Sequence, residues 1–99
     1  MSAVNELNNK LAGKLLGNLT ARFAIYDSLP TDDTPNGWIT AYGRNAIIIS
    51  DITNYNGYYG LMLTIIGSID TEYVGQIIIA GTGIKSRRSS SLSNWSNWV

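Results

Sequence analysis

The sequence predicts a mainly β protein: a small antiparallel sandwich or barrel with a short N-terminal helix, intertwined or packed as a homotrimer. Three observations lead to this. About seven short stretches alternate apolar and polar residues at hairpin spacing, a helical apolar pattern precedes them, and isoleucine occurs in two runs of three. We therefore divide the 99 residues into an N-terminal helical segment, 1–17, and a β-rich domain, 18–99.

The N-terminal segment has apolar residues at spacings of three and four, which places them on one face of a helix. They are Val4, Leu7, Leu11 and Leu15. Gly13 costs roughly 1 kcal/mol inside a helix, and about fifteen residues are marginal for an isolated helix in water. The helix therefore needs partners, either two further copies around an axis or the surface of its own domain, and both alternatives stay open.

The alternating stretches and the turn residues between them set the expected strands. Strands are predicted over 20–27, 38–42, 46–50, 58–66, 73–80, 84–89 and 94–99. Tight turns are predicted at 43–45, 67–70 and 81–83, and polar loops at 28–37 and 51–57, where Pro, Asp, Asn and Gly concentrate. Both faces of the 58–66 strand are largely apolar, so both are expected to be covered.

The two isoleucine runs, Ile47 to Ile49 and Ile77 to Ile79, would bury both faces of their strands. Together with the 58–66 strand they exceed what one small core easily absorbs. A subunit interface would absorb the excess. The alternative is that these strands stay exposed, where they would promote aggregation.

Composition excludes several classes of function. Seven Lys and Arg balance seven Asp and Glu, and charged residues make up 14% of the chain against about 25% in typical domains. This balance argues against nucleic-acid binding. The absence of Cys and His removes thiol chemistry and the commonest general base and metal ligand. No apolar run reaches eighteen residues and no secretory signal pattern is present, so membrane insertion is not expected.

Candidate catalytic groups are few. Asp32 and Asp33 are adjacent in a Pro-flanked loop, where carboxylates more often serve turn geometry than acid–base catalysis. Lys85 lies near several serines but has no nucleophile motif around it, and Gly81-Thr82-Gly83 lacks the helix of a phosphate loop. The sequence therefore predicts a protein that is not an enzyme and uses no cofactor. It assigns no metal-ligating residue and leaves open whether an ion lies on the axis of a trimer.

Aromatic and amide or carboxylate residues occur together in the predicted loops. Sugar sites use this mixture, because flat rings cover the apolar face of a pyranose while carboxylates and amides bind its hydroxyls. Tyrosines in strands also serve as core or cross-strand partners. The predicted ligand-binding residues are Asp32, Asp33, Trp38, Tyr55, Asn56 and Tyr58.

The C-terminal part combines a basic strand with two tryptophans. Alternation puts Lys85 and Arg87 on one side and Arg88 on the other. The basic side chains form either a solvated face or one that makes ion pairs between subunits, or else a contact for an anionic glycan or phosphate. Trp95 and Trp98 are assigned to packing, because exposed rings of this size would be a liability; the C-terminus is expected to be docked.

The same region carries a family resemblance. Val74 to Ile79, then Ile84 to Arg88, a small-residue turn, and Trp95-Ser96-Asn97-Trp98 resemble the terminal segment of bacteriophage tail-fibre tips and prophage host-recognition proteins. The segment from Leu7 to Leu11 is similar to the coiled entry into such a tip. The resemblance covers about a quarter of the chain and leaves 28–60 without a counterpart, so it does not indicate the receptor.

The resemblance implies a homotrimeric, non-enzymatic receptor-binding tip on the virion that recognises a glycan, such as a polysaccharide, on the bacterial cell surface. Three weak sites would gain avidity, because the second and third contacts are intramolecular. One alternative is a structural virion component, a head fibre or decoration protein, that trimerises without binding a receptor. Another is a fragment of a polysaccharide depolymerase.

Overall fold

The computed structural model describes residues 22–26, 29–67 and 73–99. The predicted N-terminal helix and segment 1–17, the ends of the 20–27 strand and most of the 67–70 turn lie outside these residues. The described part contains five strands and one helix: β1 Arg22–Tyr26, α1 Pro35–Tyr42, β2 Ala46–Tyr55, β3 Tyr58–Ile66, β4 Val74–Ala80 and β5 Gly83–Arg88.

The strands form one mixed sheet in the order β1-β2-β3-β4-β5. β1 pairs with β2 in parallel, and the other neighbours pair antiparallel. The mainly β prediction is confirmed. The five strands, however, make a single open sheet, and within the described ranges there is no closed barrel and no second sheet. The parallel β1 follows from the helix between β1 and β2, since parallel neighbours need a crossover.

The strand predicted over 38–42 is wrong, because these residues belong to α1. Thr34 is the N-cap, and its Oγ1 accepts a hydrogen bond of 3.1 Å from the Gly37 N–H. Pro35 lies in the first turn, where its missing N–H has no helical partner to lose. The helix ends at Gly43, whose φ of 80° favours glycine. Pro35 thus starts a helix inside the predicted 28–37 loop.

The loop predicted over 51–57 is also wrong, because β2 continues to Tyr55. The hairpin to β3 turns on Asn56 and Gly57 alone, with φ values of 51° and 83°. Positive φ at both positions is the signature of a type I′ turn, which matches the twist of the flanking strands. Asn54 also has positive φ, 55°, where the register shifts between Ile52 and Tyr55.

The C-terminal segment lies along the outer edge of β5. Ser86 and Val99 exchange two backbone hydrogen bonds of 3.0 and 2.9 Å, and Ser96 N–H donates to the Arg88 carbonyl at 2.7 Å. Between residues 94 and 99, β pairing is limited to one isolated bridge, from Trp95 to Ser89. The predicted 94–99 strand is therefore not a regular strand. The expected docking is nonetheless confirmed, since Trp95 and Trp98 pack against the core.

The two faces of the sheet differ sharply. One face is covered, and its buried side chains are Ala46, Ile48, Ser50, Ile52, Met62, Thr64, Ile66, Val74, Gln76 and Ile78; Trp38 of α1 packs with them. The opposite face has no such cover among the described residues, and we call it the open face. Each isoleucine run is split, with its middle residue, Ile48 or Ile78, buried and its outer residues on the open face. Within the described chain Leu61 and Ile65, on the second face of β3, are each 41% exposed, so these residues alone do not supply the expected cover of that face.

Candidate functional site

The candidate site is a polar and aromatic cluster on the covered face, centred on Asp33. This residue lies in the loop before α1. Its neighbour Asp32 fixes that loop, because Asp32 Oδ1 accepts hydrogen bonds from the Thr34 N–H at 3.2 Å and from the Thr34 hydroxyl at 2.8 Å. Gly37 is needed beside them, since an added Cβ would overlap the Asp32 carbonyl. The two adjacent carboxylates therefore have separate partners and do not form a pair.

The Asp33 carboxylate accepts hydrogen bonds from three side chains. The Trp38 indole N–H donates to Oδ1 at 2.7 Å, and the Tyr55 hydroxyl lies 2.8 and 2.7 Å from the two oxygens. Arg87 Nη2 lies 3.4 Å from Oδ2 and forms an ion pair with it. Asp33 thereby connects the loop, the helix, β2 and β5.

Tyr55 reaches Asp33 because of the irregularity in β2. Ile52 pairs with Gly60 while Tyr55 pairs with Tyr58, so β2 has one residue more than β3 between these pairs. The extra residue moves Tyr55 onto the covered face with Ile52 and Tyr58. Burial raises the pKa of the Tyr55 phenol well above its ordinary value, and the Asp33 carboxylate raises it further. The hydroxyl therefore stays protonated and can donate to Asp33.

Arg87 lies between two tryptophans. Its guanidinium carbon is 4.3 Å from the centre of the Trp95 ring and 4.4 Å from that of Trp98. Its Nε donates to Gln76 Oε1 at 2.8 Å, and its Nη2 donates to the Tyr55 hydroxyl. The guanidinium thus makes cation–π contacts with the two rings and, in addition, donates hydrogen bonds to neighbouring side chains.

The network continues into the core. Gln76 is 1% exposed, and its Nε2 donates to Thr64 Oγ1 at 3.2 Å. Trp95 is fixed separately, because its indole N–H donates to the Asp33 backbone carbonyl. These polar groups satisfy one another between the sheet and the C-terminal segment, as buried polar groups must.

Beside this network lies an aromatic trio formed by Tyr55, Tyr58 and Trp98. The two tyrosines flank the β2–β3 turn, and Trp98 meets both edge to face, with ring centres 6.4 Å from Tyr55 and 5.8 Å from Tyr58. All three are partly exposed. The turn residue Asn56 is exposed next to them. The trio is therefore a pre-formed apolar surface with polar groups at its border.

The structure brings most of the predicted site residues together. Asp33, Trp38 and Tyr55 are in direct contact, Tyr58 joins them through Trp98, and Asn56 lies at the adjacent turn. Asp32 is exposed and bonded within its own loop. Trp38 is 0% exposed, so its ring has no face left for a ligand.

Sequence reasoning did not include Arg87, Gln76 or Trp98 in the site. The alternation of β5 did place Arg87 and Lys85 on one face, and the register confirms this, because they pair with Gln76 and Ile78 on the covered face. No sequence pattern linked Arg87 to Asp33, which is 54 positions away.

The described residues contain no group of three or more His, Cys, Asp or Glu side chains arranged to hold a metal ion. Among the same residues, no helix is long and apolar enough to cross a membrane. No protein-family model, curated protein or solved structure matches this chain, and the geometry of the cluster is therefore the basis of the functional proposal.

Proposed function

We propose that the protein is a non-enzymatic receptor-binding module of a phage tail fibre, which attaches to a glycan on the bacterial cell surface. The observation that carries the proposal is the aromatic trio of Tyr55, Tyr58 and Trp98 beside the Asp33–Arg87 ion pair. The location on a virion follows from the tail-fibre resemblance and is part of the proposal.

The trio is suited to a sugar because its rings are rigid and partly exposed. Aromatic side chains supply contact area with few torsions to freeze. Tyr55 and Tyr58 are further restrained by the type I′ turn between them, and Trp98 by its edge-to-face contacts. A ligand that stacks on these rings loses little binding free energy to ordering of the protein.

Two polar side chains near the trio are accessible to the hydroxyls of a stacked sugar. The side chain of Asp33 is 37% exposed, and that of Asn56 is exposed at the turn. Trp38 and Arg87 support the site from below, because both are largely covered and both bind the Asp33 carboxylate. Asp32 would contact a ligand only at the margin of the site.

Binding without bond cleavage is supported by how the carboxylates are used. Asp33 accepts hydrogen bonds from Trp38, Tyr55 and Arg87, and Asp32 accepts two from Thr34. Glycosidases instead need two carboxyl groups that face each other across the scissile bond. Purified envelope polysaccharide should release no reducing sugar when incubated with the protein.

The test is binding of the fluorescently tagged protein to a panel of bacterial strains, followed by titration with polysaccharide purified from a labelled strain. Tyr58→Ala should weaken binding at least about tenfold, as expected for a central aromatic contact. Its circular dichroism spectrum should match that of the wild type, which shows that the variant is folded. Tyr59→Ala is the matched control, since Tyr59 is the adjacent residue on the opposite face, and it should bind like the wild type.

Two results would overturn the proposal. If no strain is labelled, the chain is better explained as a structural virion component that binds no receptor. If Tyr58→Ala and Trp98→Phe both bind polysaccharide as the wild type does, the ligand lies elsewhere on the molecule.

A further inference from the structure

The open face of the sheet is apolar along its whole width. Seven of its side chains are large, hydrophobic and 38–75% exposed, and they come from β1, β3, β4 and β5: Phe23, Ile25, Leu61, Ile65, Ile77, Ile79 and Ile84. Ile47, Ile49 and Leu63 lie between them. We call these ten residues the open apolar face.

The exposed area of this face is that of a protein interface. If a fully exposed side chain of this size has roughly 180 Å² of accessible surface, the seven exposed residues leave on the order of 700 Å² uncovered. Stable interfaces bury about 800 Å² on each partner, whereas large apolar patches are uncommon on monomers. One flat partner of the same size would cover the face.

We propose that the open apolar face packs against the same face of a second copy of the chain, with Asp51 of each copy paired to Arg88 of the other. Asp51 and Arg88 are exposed residues of this face. Asp51 lies next to Leu61 in the middle of β2, and Arg88 lies next to Gly75 as the last residue of β5. The two charges thus lie on opposite sides of Leu63, diagonally across the face.

This placement is what a two-fold axis requires. With strands about 4.8 Å apart and alternate residues about 6.8 Å apart, Asp51 lies about 8 Å and Arg88 about 12 Å from Leu63, in nearly opposite directions. A two-fold axis that runs parallel to the sheet over Leu63, inclined at about 45° to the strands, brings Asp51 of one copy opposite Arg88 of the other, with a lateral offset of about 4 Å across the roughly 10 Å between packed sheets. The flexible arginine side chain spans that offset.

The same axis crosses the strands of the two copies at about 90°, which is one of the two preferred angles for packed sheets. It also sets apolar residues against apolar residues. Ile84 of one copy falls close to Ile84 of the other, and Phe23 falls close to Phe23. Beside Arg88 lies an open hollow of about 740 Å³ over Gly75 and Val74. The hollow faces the part of the partner that carries Asp51.

This inference goes beyond the glycan proposal and does not depend on it, because the open apolar face lies on the opposite side of the sheet from the aromatic trio. It also differs from the homotrimer that the tail-fibre resemblance implies. Two opposed faces cover each other completely and leave no equivalent surface for a third copy.

Sedimentation equilibrium of the full chain tests the pairing in the absence of any glycan. The expected mass is twice the 10.8 kDa of one chain. Ile77→Lys should convert the protein to a folded monomer, because it places a charge in the centre of the face, whereas Thr40→Lys on the exposed side of α1 should leave the dimer intact. A wild-type monomer or trimer, or a dimer that survives Ile77→Lys, would overturn the inference.

Charge reversal tests the arrangement itself. Asp51→Arg and Arg88→Asp should each weaken dimerisation at least about tenfold, because each creates two like-charged contacts per dimer. The double variant restores opposite charges and should return the dissociation constant to within about threefold of the wild type. Single variants that dimerise normally, or a double variant no better than the singles, would contradict the proposed geometry.

Discussion

The Arg87 guanidinium and the Asp33 carboxylate form an ion pair, with Nη2 3.4 Å from Oδ2, across 54 positions of sequence. Asp33 precedes the helix, and Arg87 lies in the last strand. The side chain of Arg87 is 9% exposed, and that of Asp33 is 37% exposed. This pair therefore joins the loop before α1 to β5, with the guanidinium largely covered and the carboxylate partly open to solvent.

Replacing Arg87 should destabilise the protein more than a surface charge would. Arg87→Met keeps an unbranched apolar chain but removes the Arg87 donor to Gln76 Oε1 and one of the three donors to Asp33. The free energy of unfolding should therefore fall by about 2 kcal/mol. Lys85→Met is the matched control, because Lys85 lies two residues away on the same face. Urea unfolding of the three proteins measures the difference; equal stability of the two variants would contradict the structural role of Arg87.

The pH dependence of stability should report on Tyr55. Its pKa is raised in the folded state, first by burial and then by Asp33, above the ordinary value of 10.0. The unfolded chain therefore loses this proton at lower pH than the folded chain does. The stabilisation is complete below pH 10 and is lost as the pH rises further, with a slope of up to about 1.4 kcal/mol per pH unit.

Unfolding free energies measured between pH 8 and pH 11 test whether stability falls as the pH rises through this range. Tyr55→Phe should show a shallower decline above pH 10 than the wild type, because it removes the titrating group. Tyr73→Phe, at a side chain 72% exposed, should keep the wild-type slope. Identical slopes for Tyr55→Phe and the wild type would show that this phenol is not responsible.

Much of the sheet could be predicted because its signals are local. The alternation over 58–66 and 73–80 predicts β3 and β4 almost to their ends. The strand predicted over 38–42 is wrong because the alternation there is short, and five residues with this pattern are compatible with a strand or with part of a helix. The decisive signals lay just before it, in the Thr34 cap and in Pro35, which also fit a turn.

The site was only partly predictable for a different reason. The mixture of Asp33, Tyr55 and Tyr58 was visible in composition, but their contacts depend on the bulge in β2, which puts Tyr55 on the covered face. A bulge adds one residue to a strand, so the residues after it point to the opposite face from the one that strict alternation predicts. The alternating sequence pattern carries no signal for this change. Contacts over long separations, such as Arg87 with Asp33, arise only from the register of the folded sheet.

The N-cap of α1 gives a direct test of the revised helix. Thr34→Ala removes the acceptor of the Gly37 N–H and should lower the free energy of unfolding by about 1 kcal/mol. Thr40→Ala, at an exposed position within the helix, should be neutral or slightly stabilising, because alanine has the higher helix propensity. Thermal or urea unfolding compares the two. Equal losses would mean that the cap does not stabilise the helix.

Gly60 should be the least tolerant glycine of the hairpin. Its φ is 155°, a region that glycine alone adopts readily, and an added Cβ would overlap the Ile79 carbonyl oxygen on β4. Gly60→Ala should therefore destabilise by about 3 kcal/mol or more, from backbone strain and from displacement of the neighbouring strand. Gly81→Ala is the control, since nothing lies within 4 Å of its added Cβ. Urea midpoints of the two variants should differ clearly, and a Gly60→Ala protein as stable as Gly81→Ala would contradict the close approach of β3 and β4 at this position.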